Sequence, residues 1–359
     1  MITKLQRLET KLKIIQEIPE LFFSEIEDST SFGDHLFPGW TNAVFRATSL
    51  KQKFELVYNK YKSIKTKTTR EKIINSFVHS NQIENLCNNQ TGLLIIELKE
   101  LPKKIRKELD NLFLYLYNTA LNYHIFETHV SETLKESIDA FILNNELEVC
   151  PLCGIEGFLN LEGQSRIALD HWLCKDLFPM ASVNFNNLFP IGAKCNERPA
   201  KGTKNILWDN NSPKNRVKAY YPYMNHSGIS TSFNFINEPS IAGIKDEDWE
   251  FKLDPTNPLE IEIFNSWDAT LNIKTRYLGY LRKNIFLMWE NRYKRYIEKH
   301  PHLEHANSID ELKTNFEHWK STFDLKAVAG SIVYIPFIDF LINNASDAYL
   351  FGLYQNLRR

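Results

Sequence analysis

Apolar residues recur at helical spacing through the first 146 residues, and the pattern breaks at Cys150. From there to about Lys218, Gly, Asn, Pro and Cys recur and no helical stripe persists. This break constrains the fold more than any other feature. It sets a short, irregular segment between two stretches that must each bury an apolar face. Before it, Thr68 and Glu71 stand at capping-box spacing ahead of Ile73, Ile74, Phe77 and Val78. Pro102 precedes Ile105, Leu109, Leu112 and Leu116, and Leu134, Ile138 and Phe141 form a third stripe. All three read as ordinary core-facing helices.

After the break, alternating runs predict short strands at 232–235 (SFNF), 249–253 (WEFKL) and 260–264 (EIEIF). A long helix is expected from Trp267 to Lys299, with Leu271, Leu278, Leu281, Ile285 and Trp289 inward. Its Lys, Arg and Tyr residues read as the solvated face of an amphipathic helix. Ser308 and Glu311 predict the start of another helix. The expected class is α+β and predominantly helical. Three regions are expected: a helical docking or regulatory stretch (1–146), a compact centre (147–218), and strands followed by helices (219–359).

The chain has 359 residues, with 43 basic and 44 acidic side chains. A net charge of −1 excludes a uniformly basic nucleic-acid coat, so any polyanion-binding surface must be local. Hydrophobic residues at 43% exclude global disorder. The N-terminus lacks the apolar core of a secretory signal, and the run near Pro336 is too short between charges to span a membrane. Five cysteines are an odd number for a disulfide framework. A cytoplasmic, reducing setting is therefore expected, in which cysteines bind metal, react or fill core.

Chemistry concentrates in residues 150–205. Cys150 and Cys153 are two thiols at metal-knuckle spacing, and Gly154 permits the tight turn after them. A redox pair would sit at a helix start beside a parallel strand, a pattern not seen here. Asp170-His171 follows the apolar strand-like run Ile167-Ala168-Leu169. A carboxylate is a hard ligand for Mg²⁺, and an imidazole can take a proton from water. Asp34-His35 repeats the pair without the surrounding pattern and reads as structural. Asn187-Leu188, Cys195-Asn196 and Lys201-Gly202 follow in order. From Lys194 to Lys218 there are seven basic residues against two acidic ones, with Arg198, Lys201 and Lys204 the best placed for phosphates.

In this order, the cysteine pair, Asp-His, Asn-Leu, Cys-Asn and Lys-Gly resemble the HNH endonuclease family. The loop Leu173-Cys174-Lys175-Asp176-Leu177-Phe178-Pro179 is similar to that of HNH nucleases in prokaryotic anti-phage systems, of the Septu type or associated with retrons. The resemblance covers about 55 residues. It implies a ββα-metal core in which Asp170 and Asn196 hold Mg²⁺ or Mn²⁺. His171 would be the general base and Asn187 would brace the loop. It further implies cleavage of DNA, or alternatively RNA, and restraint by a partner protein, by analogy an ABC-type ATPase. A scaffold that binds nucleic acid without cutting is the other reading. The family's second cysteine pair is incomplete here, because Gly192 stands where one ligand belongs. Cys150, Cys153 and Cys195 then bind Zn²⁺ with an unidentified fourth ligand, or with Cys174 as the fourth, or form a knuckle held by packing alone.

Overall fold

A computed structural model of the chain describes residues 5–158, 167–209, 215–224, 230–240, 244–254, 258–282, 286–303 and 306–357. The N-terminal part is helical as expected. Its helices are α1 (Glu17–Glu25), α2 (Asn42–Ala47), α3 (Leu50–Lys62), α4 (Lys67–Ser80), α5 (Ile83–Cys87), α6 (Lys103–Asn118), α7 (His124–Val130) and α8 (Leu134–Asn145). The stripe after Pro102 becomes α6, which buries Ile105, Leu109, Leu112, Phe113 and Leu116. Thr133 and Glu136 cap α8 reciprocally, each side chain accepting from the other's backbone N–H. The expected cap at Thr68 is a correction. The N-cap of α4 is Thr66, two residues earlier, where the Thr69 and Arg70 amides already donate to Thr66 O.

The centre holds an antiparallel pair, β1 (Ile167–His171) and β2 (Leu188–Gly192). Ile167 faces Gly192 and His171 faces Leu188. The chain leaves β2 directly into one helical turn, α9 (Ala193–Asn196), which packs on both strands. A second antiparallel pair joins β3 (Ser230–Phe235) and β4 (Trp249–Asp254), as their alternation predicted.

The third predicted strand is overturned, because residues 260–264 lie in α10 (Pro258–Leu271). Five alternating residues fit either period. Here Ile263, Phe264, Trp267 and Leu271 continue at helical spacing and are buried. The expected long helix is also broken. Asn272 adopts a left-handed conformation (φ 52°) and divides α10 from α11 (Ile273–Tyr280), and α12 (Phe286–Lys299) follows. Leu271, Leu281 and Trp289 are buried as expected, and Ile285 lies outside the described residues. Ser308 accepts from the Glu311 amide and opens α13 (Ile309–Lys320), followed by α14 (Ser331–Asn343) and α15 (Asp347–Leu357).

Buried apolar side chains from all three sequence regions form one continuous cluster. Around the cysteine knuckle the C-terminal region supplies the clamps. Trp267 donates to Leu152 O (3.0 Å), Tyr277 to Cys153 O (2.8 Å) and the Gly330 amide to Gly154 O (2.8 Å). Among the described residues, no helix is long and apolar enough to cross a membrane.

Candidate active site and metal centre

Asp170 and His171 close strand β1, and each is 5% exposed. The His171 Nε2 lies 3.0 Å from Ser182 O. A carbonyl only accepts, so Nε2 carries the proton and Nδ1 keeps a lone pair. The edge of the Tyr117 ring, from α6, sits on the imidazole with centroids 4.3 Å apart. Helix α6 also accepts, at Phe113 O, a hydrogen bond from the Ser182 hydroxyl (3.2 Å). One helix therefore supports the imidazole twice, through a ring and through the residue whose carbonyl fixes its tautomer. Burial, with nearby Lys175, pushes the His171 pKa down to about 3, so the ring is neutral at pH 7.

Asn187 is fully buried and bridges three stretches of the loop. Its amide nitrogen donates to Leu173 O (3.1 Å) and Ala181 O (3.2 Å), and its oxygen accepts from the Leu173 amide (2.7 Å). This pins both ends of the loop that carries Lys175 and Ser182. Asn196 ends α9 and is half-buried, and its carbonyl accepts from the Gly202 amide.

Lys201 is where sequence reasoning needs its largest correction. The side chain is 1% exposed, and so offers no charge to a phosphate. Its ammonium lies 2.9 Å from Asp170 Oδ2 and donates to Asp170 Oδ1 (3.1 Å) and His171 O (2.6 Å). Burial raises the Asp170 carboxyl above its ordinary range while Lys201 pulls it back. Oδ2 still lacks a well-directed hydrogen bond. Lys204 is corrected too. It donates to Ala269 O (2.8 Å) and Thr270 O (2.9 Å), the terminal carbonyls of α10, so its charge caps a helix. Arg198 remains exposed, with its guanidinium on the Thr203 hydroxyl.

The three cysteines converge. Cys150, Cys153 and Cys195 are buried, and their sulfurs all lie within 4.8 Å of one another. The Cys150 and Cys195 sulfurs are 3.6 Å apart. Two tetrahedral Zn–S bonds of 2.3 Å would place sulfurs about 3.8 Å apart. The Cys153 and Gly154 amides both turn back to Cys150 O, and Gly154 takes φ +64°, as the knuckle requires. Cys174 is buried in the turn after β1 and is not part of this group. Arg276 donates to Cys195 Sγ (3.1 Å). Burial opposes its charge, yet the sulfurs hold its pKa above the ordinary value.

Tyr117, Ser182, Arg276 and the pairing role of Lys201 were missed from sequence. Tyr117 and Arg276 lie 54 and 81 residues from the groups they serve, and no local pattern marks them. No protein-family model, curated protein or solved structure matches the chain.

Proposed function

We propose that this chain is an HNH-type endonuclease that hydrolyses phosphodiester bonds in DNA with the help of a divalent cation. One observation carries the reading. An antiparallel strand pair runs into a helical turn, and at the end of its first strand a buried carboxylate adjoins an imidazole whose tautomer leaves a lone pair on Nδ1. The donor chemistry suits a hard cation, because Asp170 is a buried carboxylate whose Oδ2, 2.9 Å from the Lys201 ammonium, accepts no well-directed hydrogen bond. Asp170 and Asn196 would hold Mg²⁺ or Mn²⁺, whose charge polarises a phosphoryl oxygen and the leaving group.

The chain's own residues do the rest. His171 Nδ1 accepts the proton of the attacking water. The Ser182 carbonyl and Tyr117 hold the ring in place, and Asn187 fixes the loop between them. A phosphate anion entering beside the imidazole favours its charged form and lifts its basicity toward a useful range. Arg198, exposed two residues beyond Asn196, and Lys175, half-buried beside the imidazole, are cations left for the nucleic-acid backbone.

The test is nicking of supercoiled plasmid with Mg²⁺ or Mn²⁺. The expected outcome is cleavage that disappears in His171→Ala and Asp170→Ala. Cleavage of cellular RNA but not plasmid would move the substrate to RNA. A second reading, a scaffold that binds without cutting, is favoured by the Lys201 ammonium seated on Asp170; nucleic-acid binding by wild type with no cleavage would establish it, whereas equal cleavage by wild type and His171→Ala would refute the assignment of the base. Service as an anti-phage effector under restraint by an ATPase partner is supported by the resemblance alone. The burial of Asp170 and His171 is consistent with a restrained enzyme.

A further inference from the structure

The three sulfurs supply one ligand fewer than a closed structural zinc site takes. Cys150 and Cys153 stand at i and i+3, and so do Gly192 and Cys195. Position 192 is therefore where a second knuckle would place its other ligand. It is a glycine, and the space in front of it is filled. A β-carbon there would fall 2.6 Å from Glu156 Cδ and 3.1 Å from Cγ, and closer still to Oε2. Gly192 has an ordinary extended backbone (φ −64°, ψ 144°), so conformation does not demand glycine. What occupies the space of a side chain there is the Glu156 carboxylate, the far end of a flexible side chain.

Glu156 is bound to the same knuckle. Its carbonyl accepts from the Cys150 amide (2.8 Å), and its two carboxylate oxygens each accept from the Lys194 amide (3.2 Å), next to Cys195. The carboxylate is not itself one of the converging group. To ligate a metal held by the three sulfurs, the carboxylate would have to leave the Lys194 amide. Carboxylate oxygen is an accepted zinc ligand, at about 2.0–2.2 Å.

We infer that Glu156 is the fourth ligand of a Cys3Glu zinc centre, taking the corner vacated by the absence of a side chain at Gly192. This rests on reading the three cysteines as a metal centre. Three thiolates, a carboxylate and Zn²⁺ sum to a double negative charge, and the Arg276 guanidinium on Cys195 offsets one unit of it. The thiol protons leave to solvent on binding, so affinity rises with pH.

The test uses the full chain and Zn²⁺ itself, titrated against a chromophoric chelator, with Co²⁺ spectra as a second readout. Wild type is expected to bind one Zn²⁺ per chain. Glu156→Gln keeps an acceptor for the Lys194 amide but loses the anionic ligand, and its affinity should fall by ~10-fold or more. The double variant Glu156→Ala/Gly192→Cys should regain tight binding, and its Co²⁺ spectrum should gain a fourth thiolate. Wild-type affinity in Glu156→Gln and Glu156→Ala overturns the ligand assignment and leaves the three-cysteine centre standing. A wild-type chain that binds no Zn²⁺, while the double variant does, overturns Glu156 as a competent ligand. If neither binds, the metal centre falls with it.

Discussion

Among the described residues, Lys201 and Asp170 form an ion pair in which both side chains are removed from water. Losing one partner of such a pair costs about 3–5 kcal/mol, since the other charge stays buried alone. Lys201→Met is therefore expected to lower the thermal midpoint markedly, and Lys201→Met/Asp170→Asn to recover much of the loss. Added Mg²⁺ should stabilise Lys201→Met more than wild type, because the ammonium no longer competes for the carboxylate. Thermal scans with and without Mg²⁺ check both. His171 gives a pH signature of opposite origin. Its folded pKa is depressed to about 3, while an unfolded histidine titrates near 6.5. Between those values the unfolded chain binds the extra proton, so stability falls as pH drops from about 6.5 toward 3. Asp170, with its pKa raised, acts the other way, losing stability as pH rises above the ordinary carboxylate value. The decline from pH 7 to pH 5 should be shallower in His171→Gln than in wild type, measured by the same scans.

Secondary elements were legible where one period dominated over enough residues, as in α6, in α8 and in the β3–β4 pair. They were not legible where a run was short. EIEIF alternates for five residues, and only Trp267 and Leu271 beyond it reveal the helix. Nor did periodicity show Asn272 turning left-handed and ending α10, with its amide on Pro199 O (2.6 Å). The basic run after Asn196 was legible as charge but not as destination, because Lys201 turns inward to a carboxylate 31 residues away and Lys204 to carbonyls 65 residues away. This separates two variants. Lys204→Met should cost ~1 kcal/mol of stability through the lost helix-end interaction and leave the salt dependence of the proposed DNA binding unchanged. Arg198→Ala should leave stability nearly unchanged and reduce that salt slope by about one ion. Urea melts and binding titrations across salt concentrations check the pair.

Across the whole molecule, the compact centre is tied on both flanks. Tyr117 from the N-terminal helices rests on His171, and Trp267, Arg276, Tyr277 and Gly330 from the C-terminal region hold the knuckle. The candidate site was legible as an ordered set of residue types, since Asp170, His171, Asn187 and the three cysteines stand in a distinctive order. The groups that aim and neutralise them were not, since tertiary packing alone brings them close. Residues 147–218 expressed alone should accordingly lack cooperative unfolding, and a calorimetric scan of that fragment beside the full chain checks this.

Helix α6 touches the His171 imidazole through Tyr117 and holds Ser182 through Phe113, so the ring answers to a rod whose far end begins at Lys103. Anything that grips the outer side of that rod has leverage on how the imidazole sits and, on the proposed reading, on proton transfer away from the nucleic acid, with a single phenol ring as the fulcrum.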